Sequence, residues 1–81
     1  MKRVTFYTKV GCTLCDDAFA ELTKLAAQFS FSIDVIDIRK DPSAREKYRE
    51  LIPVAQIGAH ILTCDTWDEQ RLREIFEEVK T

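Results

Sequence analysis

Three cysteines and one histidine are the side chains of this 81-residue chain with the most reactive potential. Two of the cysteines form the run Cys12-Thr13-Leu14-Cys15. Thiols at this spacing either form and break a disulfide or supply two ligands to a metal. His60 and Cys64 add a His-x3-Cys, so four ligands of acceptable type for zinc are present. Those two would have to converge on the start of the helix that carries Cys12. Thiol exchange needs a thiolate, and no Cys–His nucleophile spacing gives His60 a role as general base. An odd count of three cysteines also fits reactive thiols in a reducing compartment better than a secreted disulfide framework.

A dithiol is useful only if something positions it and favours its thiolate. Val4-Thr5-Phe6-Tyr7-Thr8 is β-branched and aromatic and ends near Gly11, which predicts a strand over roughly 3–8. Beyond the cysteines, Leu14, Ala18, Leu22, Leu25, Ala26 and Phe29 recur at helical spacing, which predicts a helix over about 13–29. Both thiols then lie at its N-terminus, where unbonded N–H groups and the positive helix end stabilise negative sulfur. Cys12, nearer solvent, is expected to be the nucleophile, with a pKa below the free value of about 8.5. Cys15, one turn inside, is expected to resolve the mixed disulfide. Lys9 adds positive charge, and Asp16 and Asp17 oppose it.

The remaining chain supplies a framework. Phe31, Ile33, Val35, Ile36 and Ile38 predict a second strand whose broken alternation suggests a central or nearly central place. Asp41-Pro42 caps and opens a short charged helix over Ser43 to Leu51, closed by Ile52-Pro53. Val54–Ile57 and His60–Thr63 flank Gly58-Ala59, a two-residue turn of type II′ with glycine first. Thr66 and Glu69 have capping-box spacing, and Leu72, Ile75, Phe76 and Val79 predict a last helix over about 66–80. Trp67 is expected at the edge of that helix, and Tyr7 in the core. The order is βαβαββα, a four-stranded mixed sheet flanked by three helices, in a single domain over 1–81.

Composition excludes several partners. Forty-six per cent apolar residues against 32% charged suffice for a core, and 12 basic against 14 acidic residues leave a net charge of −2. No electrostatic field invites nucleic acid, and no apolar run reaches the roughly 20 residues of a membrane span. The start, Met1-Lys2-Arg3-Val4-Thr5-Phe6, enters the first strand without a signal-peptide pattern. A cytoplasmic monomer is the expectation.

With these residues assembled, Val4 to Cys15 together with Ile52-Pro53-Val54 resembles the glutaredoxin branch of the thioredoxin-fold superfamily over essentially the whole chain. The resemblance implies a thioredoxin-like, glutaredoxin-type α/β fold, a cis Pro53 facing the thiol pair, and an Ile52 backbone that pairs with a bound peptide or glutathione. It places Lys9, Thr13, Leu14, Ile52, Pro53, Asp65 and Thr66 at a substrate or glutathione site. It implies no bound cofactor and no metal, with glutathione as reductant or a flavoprotein reductase as electron source. Two positions depart from the family. Thr13-Leu14 replaces the usual Tyr-containing pair, so no redox potential carries over. Leu62 and Thr63 stand where glycines normally permit close approach to glutathione. The expected function is reduction of protein or glutathione mixed disulfides through Cys12 and Cys15; the alternative is a metal-binding or adaptor module using the same two thiols as ligands.

Overall fold

The computed structural model describes residues 2–80. Strand β1 (Arg3–Thr8) leads through a turn into helix α1 (Thr13–Phe29), strand β2 (Ser32–Asp37) and a single 3₁₀ turn (Ile38–Lys40). Helix α2 (Pro42–Tyr48), strands β3 (Val54–Ile57) and β4 (His60–Leu62), and helix α3 (Glu69–Val79) complete the chain. The sheet order is β2-β1-β3-β4, with β1 parallel to β2 and antiparallel to β3, and β3 antiparallel to β4. This is the expected mixed four-stranded sheet with three helices.

The register explains the core. Val4 lies opposite Ile33 and Ile57, and Phe6 opposite Ala55, so these side chains share one face of the pleat. Val4, Phe6, Ala55 and Ile57 are buried with Leu22 and Leu25 of α1 and Leu72, Ile75 and Phe76 of α3. Phe76 ties the two helices together: its ring stacks parallel on Phe29, with centroids 5.6 Å apart, and meets Phe31 edge-on at 4.8 Å. Helix α1 ends at Ser30 in the left-handed region (φ 63°), where the N–H groups of Ser30 and Phe31 donate to Ala27 and Ala26 carbonyls. That closing motif turns the chain straight into β2.

Three expectations are corrected. β2 is an edge strand, and its Val35 is 53% exposed. β1, bonded on both sides, holds the centre instead. The apolar run that suggested burial on both faces included Ile38, which is buried but belongs to the 3₁₀ turn after the strand. Helix α2 stops at Tyr48, earlier than Leu51, because the N–H groups of Leu51 and Ile52 both fold back onto the Tyr48 carbonyl before Pro53. Helix α3 starts at Glu69, capped by Asp68, whose carboxylate accepts from the Arg71 N–H at 2.9 Å. Thr66 is engaged upstream instead, its hydroxyl accepting from the Thr63 N–H at 2.9 Å. The hairpin turn is as expected, with Gly58 at φ 60° and Ala59 outside the positive-φ region.

The sheet's other face is partly covered by α2, whose Tyr48 packs against Tyr7 with centroids 4.5 Å apart and the rings tilted at 38°. Burial, then the neighbouring Tyr48, pushes the Tyr7 phenol above its ordinary value of 10.0. A raised folded-state value favours the protonated phenol in the native state. Its contribution to stability is complete below about pH 10 and is lost as pH rises through the raised value. Tyr7→Phe is therefore expected to flatten the alkaline fall in stability. Urea midpoints measured across roughly pH 9–11 check this, and parallel slopes for the two proteins would remove Tyr7 from the account.

Candidate functional site

The chain reaches α1 through a turn in which Gly11 adopts φ 86°, a conformation that side chains with a Cβ rarely take. This turn sets Cys12 at the N-cap with extended backbone (φ −92°, ψ 102°), and its sulfur accepts the Cys15 N–H at 3.1 Å. One of the helix's unbonded donors is thus directed at the Cys12 sulfur, the geometry that stabilises a thiolate once the pair is reduced. Cys12 and Cys15 are joined in a disulfide. Their surroundings differ: Cys12 is half-buried at the rim, whereas Cys15 is 1% exposed within the core. Leu14, counted in the sequence with the buried face of the helix, is 65% exposed, and Val10 is 73% exposed. Two apolar side chains therefore face solvent on either side of Cys12.

A groove of about 320 Å³ is lined by Leu14, Asp17, Ala18, Glu21, Pro53, Cys64 and Trp67; neither Cys12 nor Cys15 is part of the lining, and Leu14, between them in the chain, links it to the pair. The Ile52–Pro53 peptide is cis, and Pro53 is buried at the groove. Trp67 both lines the groove and packs edge-on against Phe6 at 6.2 Å, with its indole N–H shielded and without a partner. Of the residues expected at a binding site, the groove brings together Leu14 and Pro53. Asp65 touches its margin, with Oδ1 3.8 Å from the Cys64 sulfur. Lys9 and Thr13 are exposed and Ile52 is buried, and none of the three lines the groove. Thr66 is also outside the lining and closes its own loop: it accepts from the Thr63 N–H, and its own N–H donates to the Thr63 carbonyl at 3.1 Å.

Apart from Leu14, the groove's helical wall was not singled out from sequence as a binding surface. Leu14, Asp17, Ala18 and Glu21 are spaced as one stripe (i, i+3, i+4, i+7) starting between the cysteines, which is the signal that marks them. His60 pairs with Glu78 of α3 at 3.5 Å. Among the described residues, no group of three or more His, Cys, Asp or Glu is placed to hold a metal ion, so the four ligands weighed from sequence do not converge. Among them also, no helix is long and apolar enough to cross a membrane.

A disulfide-forming pair that opens the first helix of a βαβαββα sheet places the molecule in the thioredoxin-like fold class. Solved structures agree. The X-ray structure of Northeast Structural Genomics target protein XcR50 from X. campestris matches with a TM-score of 0.73 and 26% identity, over 93% of this chain and 96% of that one. The structure of a malarial protein matches with a TM-score of 0.66 and 15% identity, over 95% and 94% of the two chains, a likeness of fold alone. No curated protein matches at a significant level. The chain belongs to the glutaredoxin-like domain family (Glrx-like, DUF836), whose model matches residues 3–77.

Proposed function

We propose that this chain is a thiol–disulfide oxidoreductase that reduces protein or glutathione mixed disulfides, working as a monomer in the cytoplasm. The Cys12 thiolate attacks one substrate sulfur, and the other sulfur leaves as a thiolate. Cys15 then attacks the Cys12 sulfur, releasing the second half of the substrate and leaving the Cys12–Cys15 disulfide. Two electrons restore the dithiol, from two glutathione thiols or from a flavoprotein reductase.

The observation that carries this reading is the asymmetry of the pair. Cys12 is at the surface with the Cys15 N–H on its sulfur, and Cys15 is buried within bonding reach behind it. An attacking thiol must meet outside disulfides, and a resolving thiol must meet only its neighbour. The exposed Val10 and Leu14 suit docking of a macromolecular partner around the attacking sulfur.

The test is equilibration of the pure protein in glutathione redox buffers, followed by acid quenching, alkylation of free thiols and intact mass. The expected result is a reversible two-electron step from dithiol to disulfide, with a midpoint inside the cytosolic glutathione range of roughly −220 to −320 mV. A protein that stays fully reduced at every poise, with metal bound, would replace this function by the metal-binding alternative.

A further inference from the structure

We infer that the groove that Leu14 links to the thiol pair selects disulfides flanked by Lys or Arg, that is, basic peptide segments, over the anionic tripeptide glutathione. This rests on reading Cys12–Cys15 as an exchange couple and names the substrate that couple meets. Asp17 and Glu21 stand one helical turn apart on one wall, above an apolar surface of Leu14, Ala18, Pro53 and Trp67. Asp65, outside the lining itself, adds a third carboxylate next to the lining residue Cys64, whose thiol donates to its Oδ1 at 3.8 Å. No Lys, Arg or His lines it. Among the described residues, the ion pairs that engage Asp34, Asp37, Glu50, Glu74, Glu77 and Glu78 leave these three carboxylates out.

Three of the backbone donors at this margin are already used. The Thr63 N–H is held by the Thr66 hydroxyl, the Thr66 N–H by the Thr63 carbonyl, and the Cys64 N–H by the Leu51 carbonyl at 2.9 Å. Glutathione carries two carboxylates and one ammonium, so it meets like charge along the wall. A peptide with basic residues beside its cysteine meets opposite charge, and its neighbouring apolar atoms meet Leu14 and Trp67.

The test compares two peptide disulfides, the dimers of Ac-Ala-Lys-Cys-Lys-Ala-NH₂ and Ac-Ala-Glu-Cys-Glu-Ala-NH₂, with dithiothreitol as reductant at low salt. Each turnover passes two electrons and two protons from the Cys12 and Cys15 thiols to the peptide disulfide, giving two peptide thiols. Dithiothreitol then reduces the Cys12–Cys15 disulfide and closes its own ring. The quantity read is the ratio of kcat/KM for the two peptides in the wild type, divided by the same ratio in the Asp17→Lys/Glu21→Lys double variant. Intrinsic peptide reactivity cancels in that quotient. The expected quotient favours the basic peptide by on the order of tenfold and shrinks at high salt. Asp17→Asn/Glu21→Gln, which keeps the side-chain shapes, is expected to fall between the two. A quotient near one overturns the inference while leaving the exchange reaction intact.

If neither peptide turns over, the exchange reading fails and docking is read separately. In the oxidised protein Cys64 is the free thiol, so its alkylation by iodoacetamide reports occupancy of the groove. Slower alkylation with Ac-Ala-Lys-Ser-Lys-Ala-NH₂ than with its Glu counterpart upholds the charge preference. Equal rates overturn it.

Discussion

Cys15→Ser is expected to convert the protein into a trap. Cys12 can still attack a peptide disulfide, but nothing behind it can displace the bound half, so one equivalent of mixed disulfide accumulates and appears as a mass increase of one peptide. Cys12→Ser has the opposite effect: turnover falls by about a thousandfold or more, the scale on which removing an enzyme's nucleophile acts. The difference follows from placement. Cys15 is 1% exposed and cannot meet an external disulfide in the place of Cys12. Both variants are best made with Cys64→Ser, so that any adduct is unambiguous. Retained turnover in the Cys12 variant, or no adduct in the Cys15 variant with peptides the wild type reduces, would reject the assignment of roles.

Phe76→Ala is expected to cost about 3–5 kcal/mol, the usual range for emptying a buried aromatic site. A chain of this size commands only roughly 4–12 kcal/mol in total, so one truncation removes a large part of its stability. The loss is large because Phe76 is fully buried and contacts the rings of both Phe29, at the end of α1, and Phe31, just before β2. The resulting cavity would loosen α3 from the helix that presents the thiols. Phe76→Leu fills most of the space and is expected to lose far less. Urea unfolding followed by Trp67 fluorescence gives both values, and a loss below about 1 kcal/mol for the alanine variant would show that the surroundings collapse to fill the site.

How far the sequence could be read depended on whether the signal was local. The bounds of β1 and α1 were legible because Val4 to Thr8 and the stripe from Ala18 to Phe29 each carry one unbroken period. The Gly58 turn was legible because glycine at that position has a single conformational reason. The place of β2 was not, since which strand lies beside β1 depends on β3 returning to its other side, a long-range event that Val35 and Ile36 do not encode. The start of α3 was misplaced because Thr66 and Asp68 are both competent caps, and the neighbouring Thr63 N–H decided which would serve. At the site, the paired cysteines were visible at once. The acidic wall was not, because Asp17 and Glu21 look like any solvated helical face until Pro53 and Trp67 are brought opposite them.

The two borders of the sheet carry a further consequence. A sheet with open borders in a protein that also exposes apolar residues risks permanent strand-to-strand stacking with other chains. Here the β4 border is only three residues long, too short to template a lasting pair. The β2 border is longer but carries Asp34 and Asp37, whose partners Arg3 and Arg39 keep a double row of charge along it. The margins of the sheet therefore discourage strand-to-strand aggregation.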